Sequence, residues 1–133
     1  MSKKIASGAD KILIDIKVGN GALLPTKEMA KELSDIMKRI GKVYDREVRT
    51  IISDMNTPLG YCTGNSLEVL EAIEILKGRQ YGTVLADLCI DLATEMVSMG
   101  KEISKQDAKI LVLESLNKGR AYEKFLELVK AQG

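Results

Sequence analysis

Acidic and basic side chains stand at the ends of two apolar segments of this chain. Asp15 and Lys17 are two residues apart in K-I-L-I-D-I-K-V (11–18), so they share one face of a predicted strand. Asp54 follows the second apolar segment, R-T-I-I-S (49–53), and opens a long loop. Ligands of open α/β sheets gather at the carboxyl ends of strands. This position favours a binding role for Asp15 and Lys17, although an ion pair on one face explains the two residues equally well.

The loop after Asp54 is rich in glycine, asparagine and proline and leads to a predicted helix that carries Glu71. Asn65 and Glu68 have the spacing of a capping box, which predicts that the helix starts there. Strand, loop and helix would bring backbone carbonyl groups and a carboxylate together. An ordinary strand-to-helix connection is the simpler interpretation, in which Glu71 is an exposed helical acid. The residues predicted to face inward are Leu67, Leu70, Ile73 and Leu76.

A parallel β-α-β unit is needed to position these residues. Alternation predicts a strand over 11–18, and a second strand is predicted over 47–53. Between them Thr26 is a suitable N-cap, and Gly41 is expected to end the helix. The crossover between parallel strands is expected to be right-handed. The stripe predicted to be buried on this helix consists of Met29, Leu33, Ile36, Met37 and Ile40.

Beyond Gly78 the spacing predicts helices only, over 83–99, 104–119 and 121–130. The stripe predicted for the first of them is Leu85, Leu88, Cys89, Leu92 and Met96. Two parallel strands with exposed edges make a poor independent sheet. We therefore expect an α/β fold that is one part of a larger domain. Its predicted parts are the end of a helix begun upstream (1–10), a β-α-β-α unit (11–78) and a helical tail (79–133).

Composition excludes several classes of function. The formal net charge is +1 and only 4% of the residues are aromatic, which argues against nucleic-acid binding. The chain has no histidine, and its two cysteines form no C-x-x-C pair, so a zinc site or a disulfide framework is not expected. There is no long apolar run and no signal-peptide core. We expect a cytoplasmic protein that does not bind membranes.

Four segments carry a more specific pattern. They are M-S-K-K-I-A-S-G-A-D (1–10), I-D-I-K-V-G-N-G-A (14–22), S-D-M-N-T-P-L-G (53–60) and G-N (64–65). In them the chain resembles the pyrimidine nucleoside phosphorylases, a family that includes thymidine phosphorylase. The resemblance implies nucleoside salvage, in which phosphate attacks the anomeric carbon of a pyrimidine nucleoside and gives the free base and pentose 1-phosphate. It also implies a large α/β domain around a mixed sheet, a small helical domain and a homodimer.

Individual positions match functional positions of the family. By this resemblance, Lys3 contacts a carbonyl group of the pyrimidine and Leu23 borders its 5-substituent. The resemblance also implies a structural potassium ion, held by the main-chain oxygens of Leu59 and Cys62 and by the carboxylate of Glu71. Oxygen ligands of this kind suit a hard monovalent cation.

Several functional residues of the family correspond to positions before Met1. They are the phosphate-binding residues, and the arginine and serine that contact the pyrimidine base together with Lys3. Family chains also continue past the equivalent of Gly133. We therefore expect part of a phosphorylase that lacks the N-terminal region and the C-terminal end and is inactive alone. The alternative is a non-catalytic α/β module that binds a partner chain. A related phosphoribosyltransferase ranks lowest, because the chain shows no diphosphate-binding glycine motif.

Overall fold

A computed structural model describes all 133 residues of the chain as two parallel strands and six helices. This is the α/β class predicted from the sequence. The chain divides into two compact units, Met1–Pro58 (unit 1) and Leu59–Gly133 (unit 2). The elements are α1 (Ser2–Ala6), β1 (Lys11–Val18), α2 (Lys27–Val43), β2 (Glu47–Asp54), α3 (Asn65–Leu76), α4 (Val84–Lys101), α5 (Lys105–Asn117) and α6 (Arg120–Gln132).

Unit 1 is built on the pair of parallel strands. β1 and β2 run in register from Lys11 opposite Glu47 to Val18 opposite Asp54, so both strands end at one edge of the sheet. The predicted alternation in β1 is confirmed, because every second residue is buried. β2 is half-buried along most of its length. The buried side chains that form this core are Ile12, Ile14, Ile16, Val18 and Ala30.

Helix α2 begins as predicted but ends later. The N–H of Met29 donates to Oγ1 of Thr26 at 3.3 Å, which satisfies one free donor of the first turn. The helix continues through Gly41 to Val43, so the prediction that Gly41 ends it is wrong. A Cβ at Gly41 would overlap Cγ2 of Val48 and lie 3.0 Å from the carbonyl oxygen of Arg46. Gly41 therefore serves the close packing of α2 against β2.

The buried face of α2 also differs from the predicted stripe. Its buried residues are small: Ala30, Ser34 and Gly41. Met29 is 45% exposed, so its predicted burial is wrong, whereas Met37 packs against the core of unit 1. The hydroxyl groups of Ser34 and Thr50 lie 2.7 Å apart and link the helix to β2. Small residues on this face let the helix approach the sheet closely.

Unit 2 is helical, and α3 starts at Asn65 as predicted. The N-cap is Gly64, and Oε1 of Glu68 accepts its N–H at 3.0 Å. Only the glutamate half of the predicted capping box is therefore present. Leu67 and Leu70 are exposed, which contradicts their predicted inward position. The buried residues of α3 are Glu71 and Ile75.

The stripe predicted for α4 is also displaced. Cys89 and Met96 are exposed, so their predicted burial is wrong. The core between α4 and α5 is formed by Ile90, Val112 and Leu116. Helix α6 has no buried residue. None of the helices combines the length and the apolar composition that crossing a membrane would require.

Candidate functional site

Three polar side chains meet near the carboxyl ends of the two strands in unit 1. Nζ of Lys17 donates to Oδ2 of Asp15 at 2.5 Å and to Oγ of Ser53 at 2.9 Å. The hydroxyl of Ser53 donates to Oδ1 of Asp15 at 2.5 Å. The ionised side chains are only partly exposed, 27% for Lys17 and 21% for Asp15. This closed set of hydrogen bonds ties β1 to β2 where both strands reach their loops.

The two loops beyond this cluster are held against each other by the backbone. The N–H of Met55 donates to the carbonyl of Val18 at 2.7 Å, and the N–H of Gly21 donates to the carbonyl of Met55 at 2.9 Å. A Cβ at Gly21 would lie 2.8 Å from that same carbonyl oxygen. Gly19 has a φ of +126°, and a Cβ there would lie 2.7 Å from Oδ1 and 2.8 Å from the backbone nitrogen of Asn56. Both glycines are thus required by close backbone approach.

The residues predicted to contact substrate both lie in unit 1. Leu23 is 100% exposed, in the loop between β1 and α2. Its neighbour Leu24 is fixed, because the carbonyl of Leu24 accepts the N–H of Gly19 at 3.1 Å. Lys3 is exposed in the short helix α1. A fully exposed leucine on a loop anchored in this way is available for contact with an apolar ligand group.

The residues predicted to hold an ion lie in unit 2, where Glu71 folds back onto the preceding loop. Oε1 of Glu71 accepts the N–H of Tyr61 at 2.9 Å, and Oε2 accepts the N–H of Cys62 at 3.2 Å. Glu71 is buried, with 4% of its surface exposed. It forms no ion pair with a lysine or arginine. Glu71 is therefore not the exposed helical acid that its sequence position alone suggests.

Gly60 leaves room for the carboxylate of Glu71 to reach the N–H groups of Tyr61 and Cys62. A Cβ at this position would overlap Oε2 of Glu71 and lie 3.0 Å from its Cδ. Any side chain at position 60 would push the carboxylate away from its two N–H donors. The loop therefore needs glycine here for space, with no left-handed backbone involved.

The loop is compatible with a potassium ion on the chemistry of its donors. The carbonyl groups of Leu59 and Cys62 belong to other peptide units than those that donate to Glu71, so both kinds of contact can coexist. Neither carbonyl accepts a hydrogen bond within the chain. An ionised carboxylate has about four lone-pair sites, and two of those on Glu71 are used by N–H groups. A buried anion without a cationic side chain is costly unless it is compensated.

Sequence reasoning missed two residues that complete these sites. Ser53 joins Asp15 and Lys17 because the parallel register places it opposite Lys17. That pairing was available from the sequence once the register of the two predicted strands was assumed. Gly60 was read only as a loop residue, and no pattern in the sequence signals its contact with Glu71 eleven positions later.

The fold agrees with a comparison against protein families. Residues 1–122 match the family described as glycosyl transferase family, a/b domain. Since the match covers most of the chain, the chain belongs to this family.

Individual curated relatives give a more specific similarity than the family does. The chain is similar to the pyrimidine-nucleoside phosphorylases of Staphylococcus aureus strains USA300, NCTC 8325 / PS 47 and bovine RF122 / ET3-1, with 46% identity over 134 aligned residues in each case. The alignments cover 100% of this chain and 31% of each relative. The chain thus spans about a third of the length of these relatives.

Proposed function

We propose that this chain takes part in pyrimidine-nucleoside phosphorolysis, in association with polypeptide that corresponds to the remaining parts of its longer relatives. The carrying observation is the 46% identity over the full chain to pyrimidine-nucleoside phosphorylases. In the proposed reaction an oxygen of phosphate bonds to the anomeric carbon of the nucleoside. The glycosidic C–N bond breaks, and its electron pair leaves with the base, which then takes up a proton. The products are the free base and pentose 1-phosphate.

Lys3 supplies the positive charge for the departing base in this proposal. Negative charge develops on the pyrimidine as the C–N bond breaks, and a fixed cation near its carbonyl oxygen stabilises that charge. Lys3 is exposed in α1, so its ammonium group is accessible to a ligand. Lys4, the next residue in the same helix, is also exposed and is given no role.

Leu23 forms the boundary of the pyrimidine site at its 5-position. The loop that carries it is anchored by backbone hydrogen bonds from Gly19 and Gly21. An anchored apolar side chain distinguishes a methyl group from a hydrogen by about 1–3 kcal/mol.

We assign to the loop Leu59–Glu71 the role of holding a potassium ion that stabilises this part of the fold. The carbonyl oxygens of Leu59 and Cys62 and the carboxylate of Glu71 are the proposed ligands. The burial of Glu71 without a cationic side chain supports this role. When bound, the ion supplies charge compensation and takes no part in bond breaking. A homodimer, as implied by the family resemblance, belongs to the proposed complete assembly.

The reaction is tested by phosphate-dependent release of thymine and uracil from their nucleosides. The chain is assayed alone and with purified polypeptide that supplies the remaining regions of a relative. We expect no turnover by the chain alone, since it spans only about a third of the length of its relatives, and we expect turnover in the mixture. Lys3→Met should lower kcat by about 10²-fold or more in the mixture, whereas Lys4→Met should leave it unchanged. Turnover by the isolated chain would refute the need for association.

Potassium binding is tested by thermal unfolding in potassium, sodium and choline chloride at equal ionic strength. An ion that binds only the folded state stabilises it by about 2.7 kcal/mol at one hundred times its dissociation constant. We expect a higher Tm in potassium than in choline for the wild-type chain. The difference should disappear in Glu71→Gln, which keeps the shape of the side chain but removes its charge. Equal Tm values in all three salts would exclude the site.

A non-catalytic α/β partner-binding module is the second candidate. It is favoured by the exposed apolar residues of unit 2, such as Leu67, Leu70 and Leu128. Association with the complementary polypeptide without any base release would support this candidate over the phosphorylase.

A further inference from the structure

An open apolar groove lies within unit 2, among helices α3, α4, α5 and α6. Its volume is about 890 Å³. Ile75, Ile90, Val112 and Leu116 are the buried residues that line it. None of the residues considered for phosphorolysis or ion binding lines this groove. The groove is therefore separate from those sites.

The groove is elongated, because its wall follows one face of α4 for most of the helix. Leu85, Cys89, Ala93, Val97 and Lys101 all line it, and they are spaced four residues apart. At a rise of 1.5 Å per residue, the sixteen-residue step from Leu85 to Lys101 is about 24 Å long. A peptide helix that follows this wall would run alongside α4 over that length.

The charged residues that line the groove are all basic. Lys101, Arg120 and Lys124 line it, and no acidic residue does. Arg120 lies 4.0 Å from Glu114, and Lys124 is paired with Glu127. Lys101, near the C-terminal end of α4, takes part in no ion pair and is available to a ligand. An occupant of this groove therefore meets an apolar floor and a basic rim.

We propose that the groove binds an amphipathic helix of a partner polypeptide, with an apolar stripe facing the floor and carboxylates facing Lys101, Arg120 and Lys124. An elongated occupant follows from the length of the α4 wall, and an acidic one from the charge of the rim. Docking of an apolar helix face into a groove is a common mode of peptide recognition. This proposal goes beyond phosphorolysis and does not depend on it.

The test uses the full chain and fluorescein-labelled peptides of about 16 residues, the length that spans the groove. One peptide has leucines at helical spacing flanked by glutamates, and a second has lysines in place of the glutamates. Lys101→Glu should weaken binding of the glutamate peptide about threefold to fivefold, in the range of an exposed ion pair, and strengthen binding of the lysine peptide. Lys130→Glu, which reverses an exposed charge on α6 outside the groove, should change neither.

Occupancy of the groove itself is read from Cys89, whose exposed thiol lies in its wall. The glutamate peptide should slow the reaction of Cys89 with a maleimide about tenfold at a peptide concentration about nine times its Kd, where roughly a tenth of the grooves remain free. The rate for Cys62, which lies outside the groove, should stay the same. Ala93→Trp fills the groove and should abolish both binding and protection, with folding checked by far-ultraviolet circular dichroism. If that variant does not fold, the opposite effects of Lys101→Glu on the glutamate and lysine peptides remain as the test of the proposal.

Three results would overturn the proposal. Equal binding of both peptides would show that the basic rim does not discriminate between acidic and basic peptides. Protection of Cys89 by palmitate, with no peptide binding, would identify a site for an acyl carboxylate. Protection that rises with protein concentration in the absence of peptide would identify a second copy of the chain as the occupant.

Discussion

Replacing Gly60 by alanine should open the loop that Glu71 closes. The added Cβ would overlap Oε2 of Glu71 and lie 3.0 Å from Cδ and 3.2 Å from Oε1. Glu71 is buried and each of its oxygens accepts an N–H group, so rotating or displacing the carboxylate to relieve the overlap takes it away from these donors. The carboxylate has to move by about an ångström. It then loses its hydrogen bonds to the N–H groups of Tyr61 and Cys62, now 2.9 and 3.2 Å long.

The expected cost follows from these two bonds. A hydrogen bond to a charged group contributes about 1.5–3 kcal/mol. Part of this is recovered if the displaced carboxylate of Glu71 reaches water. We therefore expect Gly60→Ala to lower the free energy of unfolding by about 2–4 kcal/mol. The measurement is urea unfolding followed by far-ultraviolet circular dichroism.

Gly100→Ala is the matched control. Gly100 lies in α4, and a Cβ there would meet no atom within 4 Å. Alanine is the better helix former by up to about 1 kcal/mol, so this variant should be as stable as the wild-type chain or more stable. The two glycines thus predict effects of opposite sign for the same chemical change.

A double variant identifies the cause. In a Glu71→Ala background the carboxylate is absent, so adding Gly60→Ala should cost less than about 0.5 kcal/mol. The reasoning is refuted if Gly60→Ala is as stable as wild type. It is also refuted if the substitution costs the same with and without Glu71, because the cost would then come from the backbone alone.

Three further predictions concern other contacts. Gly41→Ala should destabilise unit 1 by about 1–3 kcal/mol through overpacking against Val48, and Val48→Ala should recover part of this loss in urea unfolding. Ser53→Ala removes the hydroxyl that links β2 to the ionised pair on β1 and should cost about 1–2 kcal/mol by the same measurement. Persistence of wild-type stability in either single variant would contradict the packing or the hydrogen bonds described. The hydrogen bond from Lys118 at 3.0 Å holds the pKa of Glu114 below its ordinary value of 4.5. This contribution to stability is therefore present above that value and is lost as the pH falls through the lower pKa of the folded chain. Glu114→Gln should remove this part of the acid dependence of Tm as the pH falls below about 4.5; an unchanged acid dependence would show that the pair is not formed.

The order and type of the elements were accessible from the sequence because their signals are local. Alternation placed β1 over Lys11–Val18, and Thr26 marked the start of α2, as observed. Ser104 was likewise recognised as the start of α5, where its Oγ accepts the N–H of Asp107 at 3.1 Å. Helix caps and the alternation of a strand depend on a few neighbouring residues, so they can be predicted without knowing the tertiary contacts of the chain.

The buried faces were less predictable, because they depend on what packs against each helix. Large apolar residues were assigned to the interior, yet α2 buries Ala30 and Ser34 while Met29 is 45% exposed. The closest helix-to-sheet contact selects small residues, which hydrophobic patterning does not rank as core. In α4 the predicted stripe instead lines the open groove through Leu85 and Cys89.

The contacts in the candidate sites likewise differ in how far the sequence predicts them. The closeness of Asp15 and Lys17 could be predicted from the period of one strand, and their link to Ser53 from the register of two. The closure of Glu71 onto Tyr61 and Cys62 depends on the path of an irregular loop, which no periodicity describes. The proposed roles of Lys3 and Leu23 rest on family resemblance. Both residues are exposed, and exposure alone does not distinguish them from other surface residues.

The separations of these contacts along the chain set an order for their formation. The hydrogen bond between Glu71 and Tyr61 closes a segment of ten residues, and loops of about this length close in roughly 10–100 ns. Lys11 and Glu47 are 36 residues apart, so their strands pair only after the α2 crossover has been made. Local contacts of this kind form fast, whereas parallel strand pairing is slow. When the whole chain refolds, the contact between Glu71 and Tyr61 can therefore form before the sheet does. During synthesis the order is different, because β2 precedes Glu71, and β1 stays exposed until β2 has been made.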